Sequence, residues 1–152
     1  MELPDDLRDL LVCLDEAGAQ VAIVDGYAVA YHGHPRATKD LDVLIRPTVE
    51  NAGRVYGALA AFGAPLAAFE VSGADFANYE GVLQIGVPPL RIDIINRIGV
   101  PFDEVIAGGE RLDVSGHAIP VIGLNALVRS KLAAGRPQDL ADVDALRRLH
   151  PE

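Results

Sequence analysis

The sequence predicts an α/β protein in which a mixed β-sheet is flanked by helices and followed by two C-terminal helices. Short apolar runs bounded by turn residues, such as residues 21–24, predict buried strands. Between these runs, apolar residues recur at helical spacing, as the leucines of residues 3–14 do. A chain of 152 residues is long enough for one domain with one core, and we expect no second domain.

The predicted elements of the first half follow one another at short spacing. A helix at 3–18 ends at Gly18, and a strand at 21–24 leads through a turn at 25–26 into a short helix at 27–32. A strand at 40–45 precedes a helix at 48–62, for which Thr48 is a suitable N-cap. Strands are predicted at 82–87 and 90–95, whereas residues 69–79 give no clear pattern.

The last third of the chain ends in two helices. A helical turn at 102–107 precedes a β-hairpin in which residues 112–114 and 118–122 flank Ser115-Gly116. Helices are predicted at 124–134 and 137–149, because Gly135 is a typical C-terminal stop and Pro137 is a typical first-turn residue.

Composition narrows the function classes. The net charge of −9 argues against nonspecific binding of nucleic acid over the whole surface, although residues 129–136 form a basic window without acids. The longest uncharged run, residues 55–69, is too short and too interrupted by Gly and Pro to span a membrane. The acidic N-terminus is unlike a signal peptide, and the single cysteine excludes an internal disulfide. We therefore expect a cytoplasmic protein without a membrane partner.

Two carboxylates interrupt the apolar run at residues 40–45. Asp40 and Asp42 alternate with Leu41 and Val43, so both aspartates are predicted on one face of a strand. At ~6 Å they would repel by roughly 3 kcal/mol at an effective dielectric of about 20. A divalent cation such as Mg²⁺ removes this repulsion and leaves coordination positions for phosphates. The alternative is an edge strand with a polar face.

A third carboxylate, Asp93, interrupts the β-branched run at 90–95 in the same way. Burial of an unpaired carboxylate there would be costly. Arg91 lies two residues earlier on the same face and offers a second explanation, because its charge would neutralise Asp93. The sequence leaves the metal and the ion-pair interpretations open.

Together these motifs resemble the minimal nucleotidyltransferases of the DNA polymerase β superfamily. The matching features are the strand and turn at Val24-Asp25-Gly26, the pair in Lys39-Asp40-Leu41-Asp42-Val43, and Ile92-Asp93-Ile94. The string from Gly26 to Gly33, the string from Arg36 to Asp42 and the tail from Lys131 to Asp142 are similar to nucleotidyltransferase toxins of the AbiE and MenT type.

The resemblance implies the nucleotidyltransferase fold and a metal-dependent transfer of a nucleoside monophosphate (NMP) from a nucleoside triphosphate (NTP) to a hydroxyl. Under it, Mg²⁺ or Mn²⁺ is held by Asp40, Asp42 and Asp93, and Asp93 has a metal or general-base role. The acceptor would be a tRNA, a protein or a small molecule. The residues implied in nucleotide binding are Gly26, Tyr27, Thr38, Lys131 and Asp139, and Lys131 is also implied in catalysis.

One residue departs from the family pattern. Asp25 stands where the family has the first glycine of its phosphate-binding turn, and it brings a negative charge to a place where a polyanion should approach. Asp25 is then a helix cap, an extra metal ligand, an inactivating change or an engineered residue. The second hypothesis for the chain is accordingly a catalytically impaired binding protein that serves as one component of a toxin–antitoxin pair.

Overall fold

The computed structural model describes residues 3–35, 40–64, 82–85 and 91–151, and for 82–85 it describes the backbone alone. The helices are α1 (Asp5–Glu16), α2 (Asp25–Tyr31), α3 (Val49–Phe62), α4 (Phe102–Ala107), α5 (Leu124–Ala134) and α6 (Pro137–Leu149). The strands are β1 (Val21–Val24), β2 (Asp40–Ile45), β3 (Val82–Ile85), β4 (Arg91–Ile95), β5 (Glu110–Val114) and β6 (His117–Val121).

The six strands form one mixed sheet in the order β3-β4-β2-β1-β6-β5. Strand β2 pairs antiparallel with β1 and parallel with β4, and β1 pairs parallel with β6. The two outer pairs, β3 with β4 and β5 with β6, are antiparallel. The expected α/β architecture with a mixed sheet and flanking helices is therefore confirmed.

The element boundaries agree closely with the pattern of the sequence. Strand β1 and helices α5 and α6 have the predicted bounds, and Thr48 caps α3 by accepting a hydrogen bond from the Asn51 amide at 3.2 Å. Helix α2 differs, because it begins at Asp25 directly after β1 rather than at Tyr27. Residues 69–79 lie outside the described part of the chain.

The core consists of apolar side chains from both layers. In α1, Leu7, Leu10, Leu11 and Leu14 are fully buried, as their spacing predicts, and α1 packs against α3. In β2, Leu41, Val43 and Ile45 are buried on the face opposite the aspartates. Helix α5 packs against both α6 and α2. Among the described helices, none has the length and apolar character that crossing a membrane requires.

Two turns of the backbone touch each other where α5 begins. A methyl group at Gly123 would overlap the carbonyl oxygen of Gly108, and a methyl group at Gly109 would lie 2.9 Å from the carbonyl oxygen of Val121. The turn between α4 and β5 is thus pressed against the turn between β6 and α5. Only glycine fits at Gly123 without a movement of the backbone.

Candidate active site

A cavity of about 430 Å³ lies between the sheet and helix α5. Its walls include the end of β1, the middle of β4, the segment that follows β4, and one face of α5. The lining residues are Val24, Asp25, Asp42, Asp93, Ile95, Arg97, Ile98, Gly99, Ser130, Lys131, Ala133, Ala134, Arg136 and Asp139. Four of these residues are acidic and three are basic.

Asp42 and Asp93 lie opposite each other in the parallel β2–β4 pair. Both are buried, each with 8% of its surface exposed, and their carboxyl groups share a hydrogen bond. Two residues that are 51 positions apart in sequence thus meet at one wall of the cavity. The predicted alternation of apolar and acidic residues in both strands accounts for this meeting.

The protonation of this pair follows from its burial. Burial raises the pKa of Asp42 to about 8, with further contributions from the negative charges of Asp25 and Asp93. Burial also raises the pKa of Asp93, while the hydrogen bond from Asp42 and the charge of Arg91 oppose that rise. At neutral pH and without a cation, Asp42 therefore retains its proton and donates it to the Asp93 carboxylate in a hydrogen bond.

Asp40 is placed differently from the other two aspartates. Arg91 lies beside it in the β2–β4 pair and donates to the Asp40 carboxylate at 2.6 Å, while the Arg91 Nε lies 3.4 Å from Asp93 Oδ1. Arg91 thus contacts both carboxylates, as the ion-pair interpretation of the sequence anticipated. The chain brings Asp42 and Asp93 together at the cavity, whereas Asp40, which is not among the lining residues, is held against Arg91.

Asp25 occupies a backbone conformation that favours glycine. It is the first residue of α2 and has a φ of +56°, in the left-handed region where Asp is tolerated but glycine is free of strain. Its side chain is about one-third exposed and forms ion pairs with Lys131 and, at 3.7 Å, with Arg136. Asp25 therefore places a carboxylate beside both of these cations.

Lys131 is enclosed by three carboxylates. Its ammonium group bonds to Asp25, to Asp139 at 3.2 Å and to Asp142 at 3.0 Å, and the residue is 3% exposed. Burial lowers the pKa of Lys131, but its bonds to Asp25 and Asp142 outweigh this effect and raise the pKa above the usual value. Although Lys131 belongs to the basic window at residues 129–136, it is buried and is not a surface lysine.

The three acids around Lys131 have the spacing of a cation site. Ligand oxygens of Asp25, Asp139 and Asp142 lie within 4.8 Å of one another, which is close enough to share a metal ion. The Lys131 ammonium already bonds to all three. Because that group supplies the positive charge, this cluster is already occupied by the lysine, and the remaining pair of carboxylates at the cavity is Asp42 and Asp93.

Arg136 closes the cavity beside Asp139. Its guanidinium contacts both oxygens of Asp139, at 2.6 and 3.1 Å, and its backbone amide bonds to the same carboxylate at the start of α6. Burial opposes ionisation of Asp139, yet the hydrogen bonds from Arg136 and Lys131 hold its pKa below the usual value. The Arg136 side chain is 66% exposed and so can also reach a ligand in the cavity.

Two other predicted nucleotide-binding residues, Gly26 and Tyr27, are not among the residues that line the cavity. Tyr27 and Gly26 are buried in α2, next to Asp25, and burial together with the charge of Asp40 raises the pKa of the Tyr27 hydroxyl. Thr38 lies outside the described residues. Conversely, Arg97, Ser130 and Arg136 line the cavity but were not singled out by sequence as binding residues, although Arg136 belongs to the acid-free basic window.

The Asp42–Asp93 pair fits a divalent cation on two grounds. Asp93 Oδ1 is buried and accepts no hydrogen bond, although Arg91 Nε lies 3.4 Å from it, and Asp42 is held in its protonated form by burial and neighbouring charges. A hard cation that prefers oxygen ligands would bind Asp93 Oδ1 and would displace the proton from the Asp42 carboxyl group. The donor set is therefore suited to Mg²⁺ or Mn²⁺.

Comparison with protein-family models and with curated proteins gave no match. Solved structures with this fold are nonetheless found at low sequence identity. A protein of Thermotoga maritima assigned as a nucleotidyltransferase is 15% identical with a TM-score of 0.61, covering 93% of this chain and 88% of that one. An antigenic nucleotidyltransferase-like protein of Paracoccidioides brasiliensis is 18% identical with a TM-score of 0.57, covering 97% and 78%.

A third similar structure is the antibiotic-resistance factor ANT(2'')-Ia, which is 12% identical with a TM-score of 0.59, covering 94% of this chain and 81% of that one. The likeness extends over most of each chain in all three cases. The chain therefore has the fold of the nucleotidyltransferases. These structures do not distinguish the AbiE and MenT branch from others of that fold.

Proposed function

We propose that this protein is a metal-dependent nucleotidyltransferase that moves an NMP from an NTP to a hydroxyl acceptor. The observation that carries the proposal is the buried Asp42–Asp93 pair, in which Asp93 Oδ1 accepts no hydrogen bond, at the wall of a cavity that also contains Lys131 and Arg136. The proposal rests on this geometry together with the fold.

The aspartates supply the cation site under this proposal. Asp42 and Asp93 would hold Mg²⁺ or Mn²⁺, and Asp40 would join them by exchanging its bond with Arg91 for the cation. When bound, the cation supplies charge neutralisation of the phosphates and of the attacking oxygen. Because acids outnumber bases in the cavity lining, the residues alone provide little attraction for a triphosphate.

The other residues position the substrate. Lys131 and Arg136 would contact phosphate oxygens, and the backbone of the turn at Gly26 would approach them at the start of α2. In the reaction, the acceptor oxygen bonds to the α-phosphorus, and the bond from that phosphorus to the pyrophosphate oxygen breaks. The acceptor proton passes to a base, for which Asp93 is our candidate.

The acceptor is the open part of the proposal. A tRNA end, a protein side chain and a small molecule all offer a hydroxyl. The acidic surface with one basic window favours an acceptor that docks locally over a long duplex. The similarity of the sequence strings to AbiE and MenT toxins makes a toxin–antitoxin role our more specific proposal.

A second candidate is a binding protein that has this fold but little catalytic activity. The observation that favours it is the ion pair of Asp25 with Lys131, because the lysine proposed for phosphate binding is already neutralised. Such a protein would serve as a partner in a two-component system without transferring a nucleotide.

Incubation with each labelled NTP, Mg²⁺ and either total RNA or total protein tests the transferase proposal. We expect label transfer by the wild type and none by Asp42→Asn, which keeps the hydrogen bond to Asp93 but removes a carboxylate ligand. Arg148→Ala, on the exposed face of α6, is the matched control and should transfer label normally. Absence of transfer to every acceptor, with an intact fold, would favour the binding protein.

A further inference from the structure

Helix α5 separates the cavity from a second concave surface. One face, with Ser130 and Lys131, borders the cavity. The other face forms a groove of about 690 Å³ with the end of α6. We refer to this groove as the α5–α6 groove. Its lining includes Leu132, Leu146, Arg129, Arg147 and His150.

The floor of the groove is apolar and partly open to solvent. Leu146 is buried at 1% exposure, while Leu132 leaves 44% of its surface exposed at the edge. Of the five large apolar side chains that are exposed in the described part of the chain, Leu132 lines this groove, and Leu124 and Val128 of α5 line it beside Leu132. An apolar lining of this kind can accept the apolar side chains of a partner.

The rim of the groove is basic in an acidic protein. Arg129, Arg147 and His150 line it together with apolar residues and Asn125, and no acidic residue does so. The chain as a whole has a net charge of −9. Arg129 pairs with Glu104 at 2.9 Å, but both side chains are about half exposed and such a pair is weak. The groove therefore combines apolar contact with a positive rim.

We propose that the α5–α6 groove binds an acidic amphipathic helix of a partner protein. The apolar floor accepts the apolar face of such a helix, and the basic rim accepts its acidic flanks. A second copy of this chain is a poorer occupant, because the leucines of its own acidic helix α1 are fully buried in the core. A nucleic acid is also a poorer occupant, because no aromatic side chain lines the groove for base stacking.

A synthetic helical peptide of about 18 residues, roughly five turns, is a suitable probe. It carries leucines at helical spacing on one face and glutamates on both flanks, and its binding is measured by fluorescence anisotropy. A second peptide has the same leucines with lysine in place of glutamate, and a third has serine in place of leucine. We expect the first peptide to bind at least about tenfold more tightly than either control.

Variants of exposed residues identify the surface used. Leu132→Glu and Arg147→Glu should each weaken binding by at least about tenfold. Their matched controls are Leu140→Glu and Arg148→Glu, which change exposed side chains of α6 outside the groove and should bind as the wild type does. Circular dichroism verifies that all four variants remain folded.

Three outcomes would overturn the proposal. The first is equal binding of acidic and basic peptides, and the second is wild-type affinity in both groove variants. The third is a different occupant: a dimer by light scattering that Leu132→Glu dissociates, or binding of a single-stranded RNA that Arg147→Glu abolishes. None of these measurements depends on nucleotide transfer, so the proposed enzymatic function is tested separately.

Discussion

Asp25 is bonded to Lys131, which lies 106 residues later in the chain, and this ion pair joins the turn after β1 to helix α5. The carboxylate stands at the start of α2, where the backbone has a positive φ and where a phosphate-binding turn would normally expose its amides. The Asp25 carboxylate thereby forms ion pairs with Lys131 and, at 3.7 Å, with Arg136. The chain carries its own anion at the position proposed for the substrate's phosphates.

Replacement of Asp25 by glycine should tighten the binding of Mg·NTP. The change removes a negative charge, leaves Lys131 with two carboxylate partners instead of three, and relieves the left-handed backbone of a side chain. Because Lys131 and Arg136 already neutralise part of this charge, we expect a gain of about 1–2 kcal/mol, or roughly 5- to 30-fold in affinity. Titration of Mg·ATP and Mg·CTP by calorimetry measures it.

Asp25→Asn is the control that separates the effect of removing the charge from the effect of relieving the backbone conformation. It should recover part of the gain, because it removes the charge but keeps a side chain at the positive φ. If the wild type bound metal and nucleotide more tightly than Asp25→Gly, Asp25 would be a ligand and not a competitor.

Replacement of Lys131 by alanine should destabilise the protein strongly. Three carboxylates, two of them at most 1% exposed, would lose their common cation. Removing one partner from a buried ion pair typically costs about 3–5 kcal/mol. Urea denaturation gives the free energy of unfolding, and Arg129→Ala, an exposed change on the same helix, should cost under about 1 kcal/mol. A loss below this control would contradict the buried environment of Lys131.

The stability of the metal-free protein should fall as the pH rises from about 4 to 8. The Asp42 pKa is raised from 3.8 to about 8 in the folded state, so the folded protein binds one more proton than the unfolded chain within this window. The free energy of unfolding then decreases by up to about 1.4 kcal/mol per pH unit from this group.

The comparison with Asp42→Asn isolates this contribution. The asparagine amide donates to Asp93 as the protonated carboxyl does, but it does not titrate. We expect similar stabilities near pH 4 and a growing advantage of the variant toward pH 8, measured by thermal unfolding with a chelator present. Parallel pH profiles would show that Asp42 ionises normally.

Binding of Mn²⁺ should depend on Asp93. Asp93→Asn removes a carboxylate whose buried oxygen has no other hydrogen-bond partner, and we expect at least about tenfold weaker binding, equivalent to about 1.4 kcal/mol. Electron paramagnetic resonance measures the concentration of free Mn²⁺ directly. Asp144→Asn changes an exposed carboxylate of α6 and should leave the affinity unchanged. Equal affinities in the two variants would remove Asp93 from the metal site.

The fold was largely predictable because its signals are local. Apolar spacing, the Thr48 cap and the stop at Gly135 each act within a few residues, and α3, α5 and α6 begin and end close to where these signals lie. The face shared by Asp40 and Asp42 follows from strand alternation in the same way. The meeting of Asp42 with Asp93 required only that two such strands become neighbours.

The environment of Lys131 was not predictable in this manner. Its partner Asp25 comes from a distant turn, and nothing in the spacing indicates that helix α5 turns the lysine inward. The basic window drew attention to Arg129, Lys131 and Arg136 together, yet the first is exposed, the second is buried and the third bridges to Asp139. Tertiary packing separates three residues that composition groups together.

The backbone contact between Gly108 and Gly123 limits how this protein can evolve. Because Gly123 immediately precedes α5, a side chain introduced there would force either the α4–β5 turn or the start of that helix, which carries Lys131, to move. Such a change touches neither the cavity nor the groove, but both depend on the placement of that helix. A substitution at this glycine must therefore be accompanied by a rebuilt α4–β5 turn.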